Sequence, residues 1–142
     1  RLHAHFAGDL KNRVIGLWGL AFKPNTDDLR EAPSLVLLQQ LWRAGAQVQA
    51  YDPAAMQNAQ RLFGQRSDLQ LMATREGAAR GADALVIATD WREFKVLDFA
   101  ALHALLRQPV VIDGRNLYEP QQMAAEGFAY YGIGRGLSQH RK

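Results

Sequence analysis

The chain has 142 residues, 48% of them apolar and 22% charged, a balance suited to one globular domain with a sizeable core and not to disorder or a fibrous repeat. Its formal charge of +3 is spread along the chain, apart from a short basic tail at His140-Arg141-Lys142, so nucleic-acid binding lacks its usual basic patch. There is no cysteine, which excludes disulfides, thiolate metal sites and a cysteine nucleophile within this chain. No apolar run approaches the ~20 residues that span a bilayer, and the N-terminus does not read as a signal peptide. Neither a membrane nor a nucleic acid is expected as a partner, and the composition suits a cytoplasmic protein.

Residues 1–12 read as the end of a preceding helix or a linker from a longer protein, 13–134 as one domain and 135–142 as a tail. Within the domain, residues 14–18 are β-branched and apolar and are ended by Gly19, a first strand. Residues 34–44 are apolar on most faces through Leu35, Val36, Leu37, Leu38, Leu41 and Trp42, as in a helix packed on a sheet. Gly45 follows in the position where a left-handed residue closes a helix. A second strand covers 48–51 and stops at Asp52-Pro53, and a second helix covers 54–63 with Gly64 behind it. Residues 69–72 read as a third strand, and 74–80 as a short helix capped by Thr74 and ended by Gly81.

Residues 84–89 are the most apolar strand of the set, which places them at the covered centre of a sheet. Asp98 is placed to cap a helix whose Phe99, Leu102, Leu105 and Leu106 share a face. Residues 109–113 form a fifth strand, Glu119-Pro120 opens a short helix ending at Gly127, and 128–131 form a sixth strand. Strands alternating with helices predict an α/β fold: a Rossmann-like, doubly wound parallel sheet of five to six strands with helices on both faces.

In such a sheet, ligands bind outside the carboxyl ends of the strands, where the strand order reverses. That rule selects Ala21, Phe22, Lys23 and Pro24 after the first strand, Asp90, Trp91 and Arg92 after the fourth, and Gly114, Arg115 and Asn116 after the fifth. The stretch from Gly16 to Ser34 thus reads as strand, ligand loop and helix start. Lys23 and Arg115 are cations at the ends of strands expected to lie close together, and they suit phosphate oxygens, Arg by its planar fork and Lys as a point charge. Phe22 reads either as core or as a wall against a flat base or sugar.

Asp27, Asp28 and Glu31 precede a helix, where its dipole favours acids. Arg30 is disfavoured there and is expected to face an anion or one of these aspartates. The stretch Gly16-Leu17-Trp18-Gly19-Leu20-Ala21 does not fit the dinucleotide fingerprint G-x-G-x-x-G. Asp52 stands where a ribose-binding acid would be, but Asp52-Pro53 is also an ordinary turn, and the broken glycine pattern favours the turn. The four histidines show no ligand spacing, so no metal site is expected. Ser34, Ser67 and Ser138 sit in no nucleophile elbow, and no catalytic residue is assigned.

The block GLAFKPNTDDLREAPS at positions 19–34 resembles the signature of the UDP-glucose/GDP-mannose dehydrogenase family, at its C-terminal UDP-binding domain. Shorter matching pieces follow in order: Ala44-Gly45-Ala46, Tyr51-Asp52-Pro53, Gly81-Ala82-Asp83-Ala84, Trp91-Arg92-Glu93-Phe94 and Asp113-Gly114-Arg115-Asn116. The resemblance runs over residues 13–134. It implies a parent enzyme that oxidises a UDP-sugar alcohol to the uronic acid in two NAD-dependent hydride transfers. It further implies an N-terminal domain that holds NAD and the catalytic cysteine and lysine, a central helix that builds a homodimer, and this domain closing over the UDP-sugar. Phe22, Lys23 and Arg115 match residues that contact the UDP-sugar, and Arg30 matches an arginine that reaches the NAD. Pro24-Asn25-Thr26 and the Trp91 piece lean toward UDP-glucose and UDP-glucuronate as ligands. A sister enzyme acting on GDP-mannose or UDP-N-acetylmannosamine, a stand-alone nucleotide-binding module, and the NAD-binding half of another dehydrogenase are the alternative readings.

Overall fold

In the computed structural model, residues 9–21, 29 and 32–132 are described. Phe22, Lys23 and Arg30, with Asp27, Asp28 and Glu31, lie outside the described residues, as does the basic tail. Among the described residues there are six strands: β1 Val14–Trp18, β2 Gln47–Tyr51, β3 Leu69–Leu71, β4 Ala84–Ile87, β5 Val110–Asp113 and β6 Ala129–Gly132. They form one sheet in the order β3-β2-β1-β4-β5-β6, and every neighbouring pair is parallel. The described helices are α1 Pro33–Arg43, α2 Met56–Phe63, α3 Arg75–Ala79, α4 Phe99–Leu105 and α5 Pro120–Ala125, with a 3-10 turn at Arg92–Phe94. The doubly wound α/β arrangement expected from the alternation is the one observed.

Period-two alternation sorts each strand between two cores. Ile15 and Leu17 of β1, Val48 and Ala50 of β2, Ala84 and Val86 of β4 and Val110 and Ile112 of β5 pack with Leu38 and Leu41 of α1 and Ala59 of α2. On the other face Trp18, Leu85, Ile87, Val111 and Tyr130 meet Ala78 and Ala79 of α3, Leu102 of α4 and Met123 of α5. The buried pattern of β4 is unbroken, as its central position between β1 and β5 requires. Helix α1 is less enclosed than its composition suggests: Leu38 and Leu41 turn inward while Val36 is exposed.

Local hydrogen bonds explain where elements start and stop. Thr74 accepts from the Gly77 N–H and Asp98 from the Ala101 N–H, capping α3 and α4 as anticipated. Helix α2 begins at Met56, later than its apolar spacing indicates, because the Asp52 carboxylate already holds the N–H groups of Ala54 and Ala55 in a turn. β5 starts at Val110 because Pro109 has no N–H to add to the ladder, although its carbonyl still accepts from Ala129 at 2.8 Å. At the amino end of the sheet, buried Asp83 accepts from the Val14 N–H at 2.9 Å and so ties β1 to the start of β4. Leu10 is buried in the first core and the Asn12 N–H donates to the Gly45 carbonyl, so the packed unit takes in residues before 13.

Helix α3 approaches β1 at a glycine. A Cβ at Gly16 would stand 2.7 Å from the Ala78 carbonyl oxygen, a backbone atom with no rotamer to yield. Gly16→Ala is therefore expected to destabilise the domain by roughly 1–3 kcal/mol, the usual range for overpacking, read as a lower urea midpoint with unchanged m-value. An unchanged midpoint would refute this close packing.

Candidate functional site

The strand order reverses between β1 and β4, and in open parallel sheets the place for a ligand is outside the carboxyl ends of the strands at that reversal. The turn out of β1 is fixed from four sides. Gly19 adopts φ +100°, a conformation suited to glycine, and a Cβ there would lie 2.6 Å from the Thr89 side chain. The Asp52 carboxylate then captures the next two amides: Oδ2 accepts from Leu20 N at 2.7 Å and from Ala21 N at 3.0 Å. The Ser34 hydroxyl donates to the Leu20 carbonyl at 2.6 Å, and the Thr89 hydroxyl to the Ala21 carbonyl at 3.0 Å. Asp52, Ser34 and Thr89 are all buried. Ala21 is thus a fixed point, and Phe22 and Lys23 are the next two residues of the chain.

Asp52 is fully committed. Its Oδ1 accepts from Ala54 N and Ala55 N, and its Oδ2 also takes the Trp91 indole N–H at 3.3 Å. Five donors saturate a carboxylate that is fully shielded from solvent, leaving no lone pair for a ribose hydroxyl. Of the two readings of Asp52-Pro53, the turn is the observed one. With the glycine fingerprint also missing, the described residues do not fit a resident NAD.

The loop after β5 follows the same plan. Asp113 is buried, and its carboxylate accepts from the Arg115, Leu117 and Tyr118 amides and from the Tyr130 hydroxyl. Gly114 passes so close to β4 that a Cβ would meet the Ile87 carbonyl at 2.9 Å. Asn116 holds φ +57°. These constraints turn Arg115 outward, its side chain 44% exposed, with Nη2 3.6 Å from Asp90 Oδ1. One strand, β4, lies between β1 and β5, so Arg115 stands two strand spacings from the β1 turn, about 10 Å, and not beside it.

The remaining motif residues act as tethers. Phe94 is buried and stacks on Trp18 with ring centroids 5.1 Å apart. Tyr51 at the end of β2 donates to Glu93 at 3.3 Å. Burial, and then that hydrogen bond, push the Tyr51 phenol up to about 12. Sequence reasoning placed Asp90 at the crevice but did not anticipate its pairing with Arg115. Thr89 was read as strand and Ser34 as a helix start, whereas both hold the β1 turn. Polar residues ending an otherwise apolar run were the available signal. Among the described residues, no cluster of His, Cys, Asp or Glu could hold a metal, and no helix is long and apolar enough to cross a membrane.

Comparison with known proteins gives a consistent pattern. A family profile described as "UDP-glucose/GDP-mannose dehydrogenase family, UDP binding domain" matches residues 16–120. The chain is 47% identical over 140 residues to a UDP-glucose 6-dehydrogenase of Pseudomonas aeruginosa, covering 96% of this chain and 31% of that protein. It is 43% identical over 128 residues to the UDP-glucose 6-dehydrogenase TuaD of Bacillus subtilis, covering 90% of this chain and 27% of that one. A solved UDP-glucose dehydrogenase from Pyrobaculum islandicum superposes with a TM-score of 0.74 at 33% identity, covering 92% of this chain and 27% of its own. An NDP-N-acetyl-D-galactosaminuronic acid dehydrogenase from Methanosarcina mazei reaches 0.80 at 27% identity, covering 99% and 28%. The chain therefore spans under a third of the length of these relatives.

Two outcomes follow from the tethers. Asp52→Ala strands several buried donors and should cost at least about 3 kcal/mol in chemical denaturation, each unmet group being worth about 1–3 kcal/mol. Asp52→Asn should recover only part of this, because an amide places N–H groups against N–H groups at one end whichever way it is turned. Wild-type stability in both variants would dismiss the clamp. Separately, the neutral Tyr51 phenol contributes stability that is complete below pH 10 and is lost as the pH rises toward about 12. Tyr51→Phe should make the alkaline decline in melting temperature shallower, and an unchanged decline would contradict the assignment.

Proposed function

The chain belongs to the UDP-glucose/GDP-mannose dehydrogenase family through its UDP-binding domain, and we propose that it forms the nucleotide-sugar half of the active site in an NAD-dependent UDP-glucose 6-dehydrogenase. In this reading the parent enzyme, a cytoplasmic homodimer, oxidises UDP-glucose to UDP-glucuronate in two hydride transfers. This chain binds and orients the substrate and supplies no catalytic residue. NAD belongs to an N-terminal domain, consistent with the saturated Asp52 and the missing glycine fingerprint here.

The observation that carries the reading is the pinned β1 turn at the point where the strand order reverses. An anionic nucleotide needs donors that are in place before it arrives, since ordering a loop on binding subtracts from affinity. Ala21 supplies a fixed start for Phe22 and Lys23, to which we assign the base or sugar face and a phosphate charge. Arg115 supplies a planar, exposed guanidinium across the edge. Arg30 is assigned to the NAD of the other domain. The names carried by the curated relatives favour UDP-glucose over the sister nucleotide sugars.

Calorimetric titration of the full-length protein with UDP-glucose, GDP-mannose and NAD tests this reading. UDP-glucose should bind more tightly than GDP-mannose. Lys23→Ala and Arg115→Ala should each weaken UDP-glucose binding by the roughly 1.5–3 kcal/mol of a charged hydrogen bond, leaving NAD affinity nearly unchanged. Equal UDP-glucose affinity in wild type and both variants would remove these residues from the site.

A further inference from the structure

We propose that Asp90 is a positioning residue for Arg115, holding the guanidinium over the carboxyl edge of the sheet so that its outer N–H groups meet a phosphate oxygen. The inference rests on the nucleotide-sugar reading of Arg115 given above and adds a residue which that reading does not use.

The residues on both sides of Asp90, and the Arg115 amide, are tethered. Thr89, the residue before Asp90, is bonded to the Ala21 carbonyl, and Trp91, the residue after it, is bonded to Asp52. Arg115 in turn hangs from Asp113 through its own amide at 3.0 Å. What these tethers leave adjustable is the arginine side chain, and among the described residues Asp90 is the acid it meets. Asp90 Oδ1 is a buried atom that accepts no hydrogen bond from the described residues. Arg115 Nη2 stands 3.6 Å away, inside ion-pair range yet beyond a hydrogen bond. A buried carboxylate oxygen without a donor is costly, and a shift of about half an ångström by the guanidinium would relieve it. The guanidinium carries five N–H groups in a rigid fork, so one edge can satisfy Asp90 while the other faces an anion.

Two physical pictures of this pair make opposite predictions. If Asp90 only adds negative charge near the ligand, removing it should tighten binding of a diphosphate. If it holds Arg115 in the receiving geometry, removing it should weaken binding, because the freed side chain must be ordered again each time.

The test measures UDP affinity by calorimetry in the full-length protein for wild type, Asp90→Ala, Asp90→Asn, Arg115→Ala and the double variant Asp90→Ala/Arg115→Ala. Asp90→Ala should weaken UDP binding about tenfold, the scale of one charge-assisted hydrogen bond. Asp90→Asn keeps the oxygen and loses the charge, so a loss of about threefold is expected, charge-assisted bonds being roughly twice as strong as neutral ones. The double variant should bind no more weakly than Arg115→Ala alone, because the effect of Asp90 passes through Arg115. With UDP-glucose as substrate, KM should rise in Asp90→Ala while kcat stays within about twofold, as for a group that supplies only binding. Tighter binding in Asp90→Ala, or additive losses in the double variant, overturns the proposal. If Asp90→Ala fails to fold, Asp90→Asn carries the test in the same direction. Failure of the wild type to bind UDP brings down the nucleotide-sugar reading itself, an outcome distinct from wild-type binding with an inert Asp90.

Discussion

Much at this end of the domain hangs on one carboxylate. Asp52, at the end of β2, satisfies the turn that leaves β1, the turn that leads into α2, and the indole that follows β4. Its carboxylate is met by five N–H donors of the described residues, the way a buried anion is held by oriented N–H groups. Because three separate loops share this single acceptor, their relative positions are set together. The crevice edge is consequently a rigid object and not a set of independent loops.

The same device recurs around the sheet. Asp83 holds β1 at its amino end, and Asp113 gathers the amides of the loop after β5 together with the Tyr130 hydroxyl. The short pieces that resemble the family signature are largely these tethers: Asp52 beside Tyr51, Asp83 after Gly81 and Ala82, Phe94 under Trp18, and Asp113 with Gly114 below Arg115. In this chain those pieces are therefore largely scaffolding that fixes the edge. Arg115 is the side chain of its loop that the scaffold turns outward, and Asp90 lies against it. Asp52 and Asp113 are consumed by this scaffold, whereas the Arg115 and Asp90 side chains stand off it.

How much was legible beforehand depended on whether a residue's role was local. Strands, helices and caps were legible because periodicity, Thr74, Asp98 and the closing glycines act within a few residues. The errors lay where a side chain reached across the chain. Helix α2 was started early because the bond from Asp52 to the Ala54 and Ala55 amides competes with helix formation. Lys23 and Arg115 were expected at the ends of strands lying close together; β1 and β5 flank β4, and sequence order says nothing about which strand a crossover inserts between them. Phe22, Lys23 and Arg30 were selected by position after β1 and by family resemblance, and of these the titrations above test Lys23.

The amino-acid sequence by itself determined the α/β class, a sheet of five to six strands, the broken dinucleotide fingerprint and the family, since each depends on patterns read along the chain. Tertiary structure alone decided that Asp52 is spent on the scaffold, that Thr89 and Ser34 hold the β1 turn, and that Asp90 faces Arg115. The physical reason is distance in sequence. Asp52 lies 32 residues from Leu20, and Thr89 lies 68 from Ala21. Bonds of that span form only once the parallel sheet has brought its carboxyl edge together, and no local pattern encodes them.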